Sequence, residues 1–437
     1  MNQLWTPAAW LNGRWQTEVL LEVDAAGFWS RIEAGVPQPA EARRLPGPVL
    51  PPLVNAHSHA FQRAMAGLAE FRESSEDDFW SWREAMYGLA LRLSPEELRH
   101  IAARLYRELL SGGYTQVVEF HYLHHAPDGQ AYEDELAMAW ALRDAARSVG
   151  VGLTVLPVLY AHQGFGQPGL KPSQRRFATD ADWVWRAQQR LASQADACFN
   201  AGVAFHSLRA AHEGDFSQLL ARVADADLPI HVHAAEQQGE VRDCLAATGQ
   251  RPIEWLCRQQ PLDGRWHLVH ATQAEAFEVD LVQKAGAGVV LCPSTEANLG
   301  DGLPPLMGYL QAGVPLSLGS DSQVSREWRE EIRWLEYSQR LRLQQRNVCS
   351  LPPQQAASAG RLFECMLAGS GAAAGFARWG LQVGARADWL ALDLGAEGLE
   401  EVPMQRWLDA LVFASRGPCW AEVGVAGQVR ATGAQPA

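Results

Sequence analysis

The 437 residues include only 7 cysteines. These cysteines are scattered from position 198 to position 419, odd in number and without a CxxC pair, which speaks against a disulfide framework or a cysteine-built zinc site. Lys/Arg-rich runs are absent and the formal net charge is −13, so a nucleic-acid or anionic-membrane surface is not expected. The longest apolar segment, VGVGLTVLPVLYA at 149–161, is too short to span a bilayer and contains Gly and Pro. The opening MNQLWTPAAWLNGRW has neither the basic region nor the continuous apolar region of a secretory signal, and the expected location is the cytoplasm. No internal repeat is visible, and the only low-complexity patch is AGSGAAAG at 368–375.

What is present is an ordinary globular composition, 47% apolar and 20% charged, enough for a large core in one large domain with a smaller companion. Apolar runs with strand character alternate with helical patterns through the middle of the chain. The strand candidates are 53–59, 115–122, 152–162, 203–210, 229–236, 266–272, 287–295 and 315–322. Between the first two, SPEELRHIAARLYRELLSGG reads as a helix, with Ser94 and Glu97 at capping-box spacing and a Gly pair at its end. Eight such units predict a (β/α)8 barrel over 49–379. The alternative, an open doubly wound sheet, more often shows a Gly-rich phosphate turn after its first strand, and none is found. Residues 1–48 and 380–437 alternate in the strand manner and predict a small β-sandwich assembled from both chain ends.

Polar residues cluster where the barrel strands end. In VNAHSH, His57 and His59 stand two apart, so a strand turns both rings to one face. They are either a satisfied polar pair or half of a metal site. HVHAAE ending the fifth run, HLVHAT ending the sixth and LGSDS ending the eighth bring imidazoles and a carboxylate to the same rim. That donor set suits zinc or another divalent transition ion with a position open to water.

These motifs together resemble the metal-dependent amidohydrolase superfamily, in its mononuclear deaminase branch. The resemblance implies His57, His59, His233 and Asp321 as ligands of one divalent ion, most simply Zn2+. It assigns Glu236 to proton transfer, and His270 and Asp321 to activating and orienting the water. In HVHAAE the spacing to Glu236 selects His233 and leaves His231 as a structural residue beneath the site. No strand-four lysine occurs in VAFHSLRA, so the carboxylated-lysine bridge of the binuclear branch is absent.

Within the superfamily the sequence is similar to the iminohydrolases that act on N-formimino-L-glutamate. The segments that carry this likeness are NAHSHAFQRAMAGLAE, DFWSWREAMY, EFHYLHH, FHSLRA, HAAEQ and GSDSQVSRE. It implies hydrolysis of the formimino group to N-formyl-L-glutamate and ammonia in histidine degradation, by a homodimer, with Gln62, Arg83, Tyr122, His206 and Arg209 on the substrate. Arginine suits planar carboxylates, although Arg83 can equally stack on a neighbouring aromatic ring. His206 and Arg209 share a side only if the chain leaves the strand at Ser207. Ser322 either orients Asp321 or caps its loop. Gln273 and Gln323 depart from the expected pattern, while His121, His124, His125 and His162 read as structural. The competing readings are a deaminase of an aromatic base or nucleoside and, less favoured, a non-catalytic barrel kept for interactions.

Overall fold

The computed structural model describes residues 2–68, 70 and 79–432. Asp78 of the DFWSWREAMY stretch and residues 433–437 of the C-terminal segment lie outside them.

Eight parallel strands close into a barrel: Leu53–Ser58, Tyr114–His121, Gly152–Leu159, Val203–Ser207, Ile230–Ala234, Trp266–His270, Gly288–Leu291 and Leu316–Leu318. Leu318 pairs with Asn55 to join the last strand to the first. The strands read as near-continuous apolar runs because they are covered on both faces, by helices outside and by the packed lumen inside. Every residue of Tyr114–His121 and of Gly152–Leu159 is buried. The helix Pro95–Ser111 starts as its sequence specifies: the Ser94 hydroxyl accepts from Glu97 N at 3.2 Å, and the Glu97 carboxylate accepts from Ser94 N at 2.8 Å. It stops at Gly112 and Gly113, where a Cβ on Gly113 would meet Trp328 Nε1 at 2.7 Å.

The chain ends build one eight-stranded sheet that runs through Val49–Leu50 before the barrel begins. Its first hairpin, Asn2–Leu11 with Arg14–Val23, turns at Asn12 and Gly13, both with positive φ, as a tight turn between right-twisted strands requires. The sheet curls on itself. Trp29–Glu33 and Trp389–Leu392 are separated by three strands, yet the rings of Trp29 and Trp389 lie 6.1 Å apart and Phe28 bridges to Arg386. Between the last strands, helix Trp407–Phe413 packs outward on the barrel helix Trp328–Leu343, with Arg333 Nε donating to Val412 O at 2.6 Å.

Sheet and barrel are stitched by a buried ion pair. Arg386 and Asp388 are each 2% exposed, and Arg386 Nη2 donates to Asp388 Oδ2 at 2.6 Å. Arg386 also donates to Gln116 Oε1 (2.7 Å) and Thr115 O (3.0 Å), while Asp388 accepts from Thr115 Oγ1 (2.6 Å) and Ala426 N (2.8 Å). Removing one partner strands the other charge in the interior. Arg386→Leu is therefore expected to cost about 3–5 kcal/mol of stability in chemical denaturation while leaving bound metal unchanged; a loss under about 1 kcal/mol would remove this pair as the stitch.

Candidate active site

The C-terminal ends of the strands meet over one pocket lined by His59, Gln62, Arg83, Tyr122, His206, Arg209, His233, Glu236, His270 and Asp321. His57 lies beneath it, fully buried. Thus every residue singled out for ligation, proton transfer or substrate contact reaches one rim.

Three ring nitrogens converge at the floor. His57 Nε2 is 3.2 Å from His59 Nε2 and 3.1 Å from His233 Nε2. Asp321 Oδ1 is 3.4 Å from the Nε2 of both His57 and His59. Ligand bonds of 2.0–2.1 Å in a tetrahedron give donor–donor edges of about 3.3–3.4 Å, which matches the spacing of His57, His59 and Asp321; His233 approaches the same His57 nitrogen and forms a second close group of donors with His57 and His270. The tautomers fit as well. His59 Nδ1–H donates to Phe120 O at 2.9 Å and His233 Nδ1–H to His206 O at 2.8 Å, which leaves both Nε2 lone pairs facing inward. Burial lowers the pKa of His57, His59 and His233 and keeps them neutral, as ligation requires.

Across the floor from His57 and His59, His270 Nε2 stands 3.7 Å from Asp321 Oδ2 and 3.9 Å from Glu236 Oε1. Burial opposes charge on His270, but Glu236 and hydrogen bonds to Cys292 and Glu296 raise its pKa above the ordinary value. Burial pushes Glu236 up to about 7, with Asp321 and Glu240 adding to the rise and His270 and Arg209 opposing it. A carboxyl group titrating there can both give and take a proton near neutral pH.

The rim is strained. Ala235 (φ 52°), His270 (φ 69°), Ala271 (φ 49°), Asp321 (φ 46°) and Gln323 (φ 70°) all lie in the left-handed region, which favours glycine. Hydrogen bonds that sequence reading missed hold these turns. Asn55 exchanges two bonds with Ser320 (2.7 and 2.9 Å), Ser320 Oγ donates to Gln323 Oε1 at 2.7 Å, and Gln323 Nε2 donates to Ser58 Oγ at 3.0 Å and Asp321 O at 2.6 Å. Gln323 is thus part of the lock on the Asp321 turn. Glu296 Oε1 faces His270 Nδ1 at 3.4 Å and accepts from Cys292 N at 2.9 Å. Glu119 accepts from Ala60 N at 2.6 Å, just after His57 and His59. Their only sequence signal is a carboxylate or amide inside an apolar neighbourhood.

The pocket walls hold the substrate candidates. Val203–Ser207 ends in a turn in which Ala210 N and Ala211 N both donate to Ser207 O, so His206 and Arg209 do face the same space. The His206 ring packs between Tyr160 and His233, at 4.4 and 5.2 Å between centroids. Gln62 Nε2 donates to Tyr122 Oη at 3.1 Å. The Arg83 guanidinium lies over the Tyr87 ring, 5.7 Å from its centroid, with its helix along the pocket edge. Ser322 bonds to Thr295 Oγ1 and not to Asp321. His231 lies under the floor against Ala373 O at 2.8 Å. Gln273 Nε2 donates to Glu236 O at 3.3 Å, which places that residue against the loop that carries Glu236.

The barrel, the His/Asp floor and the acid–base pair on its rim together define a hydrolase of the amidohydrolase family. The chain matches that family over residues 49–430, and it belongs to it. It is 45% identical over 94% of its length to a formimidoylglutamate deiminase of Pseudomonas aeruginosa, of which it covers 91%. It is 26% identical over 84% of its length to a 5-methylthioadenosine/S-adenosylhomocysteine deaminase of Halobacterium salinarum, of which it covers 78%. The crystal structure of an amidohydrolase from Brucella melitensis superposes with a TM-score of 0.91 at 40% identity, covering 98% of this chain and 94% of that one.

Metal analysis of the purified protein is expected to find about one equivalent of a divalent transition ion, and His57→Ala to lose it without loss of cooperative unfolding. Two equivalents, or full retention by His57→Ala, would contradict the four-ligand floor.

Proposed function

We propose that this chain hydrolyses N-formimino-L-glutamate to N-formyl-L-glutamate and ammonia, with one zinc ion held by His57, His59, His233 and Asp321. The observation that supports it best is the pairing of an acid–base floor with Arg83 and Arg209 in one pocket. The substrate carries two carboxylates, which planar guanidinium groups recognise, and a formimino carbon that must reach Glu236. The sequence relation to the Pseudomonas deiminase supports the same choice.

A divalent ion bound at the floor supplies Lewis acidity and brings the pKa of a water molecule towards 7. Asp321 takes the proton of the water that adds to the formimino carbon. His270, 3.7 Å from the second Asp321 oxygen, holds that water and the charge that develops on its oxygen. Glu236 protonates the terminal nitrogen as the water adds; it then takes the proton of the added hydroxyl and passes it to the same nitrogen, so that the carbon–nitrogen bond breaks, ammonia leaves and the new carbonyl stays on the carbon bonded to the glutamate nitrogen, while the proton held by Asp321 restores Glu236. Arg83 and Arg209 hold the carboxylates, and Gln62, Tyr122 and His206 fill the space between clamp and floor. Zinc suits three imidazoles and one carboxylate. Among the described residues no helix is long and apolar enough to cross a membrane, and we place the enzyme in the cytoplasm, as a homodimer, where histidine is degraded.

The test is ammonia release from N-formimino-L-glutamate beside adenosine, guanine and cytosine, with a chelated control. Turnover of the first alone, lost on chelation, is expected; turnover of a base instead would overturn the arginine clamp. Glu236→Ala is expected to lower kcat by about 10²–10⁴-fold with metal retained. Arg209→Ala is expected to act chiefly on KM, raising it about 10- to 100-fold, the range for losing a charged hydrogen bond. Wild-type kcat in the first variant or an unchanged KM in the second would remove that residue from its role.

A further inference from the structure

Between His233 and Glu236 the chain turns through Ala235, whose φ of 52° is unfavourable for a residue with a side chain. A turn of this kind relaxes unless neighbouring groups hold it. The holder is Glu240, in the first turn of the helix Gln238–Thr248. Its Oε1 accepts from Ala235 N at 3.1 Å and its Oε2 from Glu236 N at 3.0 Å. Each oxygen is committed to one backbone donor. Glu240 is 8% exposed and lines the same pocket as Glu236 and Arg209.

We infer that Glu240 is a positioning residue: its two oxygens clamp the turn that aims Glu236 at the reacting nitrogen. The inference rests on the proton-transfer reading of Glu236. Burial raises the pKa of Glu240, and Arg209 and the backbone N–H donors of Glu236 and Ala235 oppose that rise.

The geometry demands a carboxylate specifically. In Glu240→Gln the amide keeps one acceptor, and its NH2 is forced against the other backbone N–H, so one buried donor loses its partner. Glu240→Asp keeps both acceptors but falls a methylene short. A carboxylate that served stability alone would lower the melting temperature without separating kcat from KM.

The experiment is Glu240→Gln in the full-length, zinc-loaded protein, read by steady-state kinetics on N-formimino-L-glutamate and by amide hydrogen exchange. The expected result is a kcat lowered about 10- to 100-fold, the size of a small misplacement of a catalytic group. KM should stay within about threefold, in contrast to Arg209→Ala. Exchange should quicken across residues 233–238, with zinc content and protection elsewhere unchanged. Glu240→Asp should fall between wild type and Gln, and it carries the test if the Gln variant does not fold. Wild-type kcat with unchanged exchange at 233–238, or a lowered melting temperature with unchanged kcat, would overturn the clamp. Absence of turnover by the wild-type protein would defeat the proposed function instead, and the exchange result would then decide the clamp by itself.

Discussion

The lone pairs of His59 Nε2 and His233 Nε2 both turn toward His57 Nε2, and a carboxylate oxygen beside them is uncomfortable unless positive charge lies among them. This is the constraint on which the rim of the barrel depends. Backbone carbonyls of Phe120 and His206 occupy the Nδ1–H groups of His59 and His233, so neither ring can turn its lone pair elsewhere without losing a buried hydrogen bond. Asp321 closes the set through the backbone, donating from its N–H to His57 O and accepting from His59 N. These four side chains are thus fixed by main chain as much as by side chain, which is how a rigid site keeps its donors within a few tenths of an ångström.

Holding that geometry places five non-glycine residues of the rim in the left-handed region. Local strain of this kind persists only where neighbours over-determine it. The Asn55–Ser320–Gln323–Ser58 network does so at the Asp321 turn, Glu296 supports His270, and Glu240 holds Ala235 and Glu236. The opposite end of the barrel carries the contact with the end sheet. There Arg386 and Asp388 join the second barrel strand to the sheet of the chain ends, far from the pocket, so stability and chemistry occupy different faces of the same strands.

The barrel was legible because burial on both faces makes each strand an apolar run that ends abruptly in a polar residue. His57, His59, His233, His270 and Asp321 could be read for that reason. His206 and Arg209 were less legible, because their common side depends on the chain leaving the strand at Ser207, which only the turn bonds to Ser207 O reveal. Glu240 and Glu296 were hard to read, because a carboxylate near the start of a helix looks like solvated surface, and Glu119, although it opens EFHYLHH, gave no sign that it accepts from Ala60 N just past the neighbouring strand. Gln323 stood out in the sequence only as a departure from pattern, yet its amide bonds to both Ser58 and Asp321. The β character of the end domain and its assembly from both chain ends were legible from strand alternation, whereas its single sheet, with Trp29 brought against Trp389, was not.

The central claim is that four side chains converge on a single ion. It is tested most directly by anomalous diffraction from crystals of the protein as purified, with data on both sides of the zinc edge. The account predicts one peak, within bonding distance of His57 Nε2, His59 Nε2, His233 Nε2 and an Asp321 oxygen. Two peaks bridged by a common ligand, or a single peak centred between His270, Cys292 and Glu296, would contradict it.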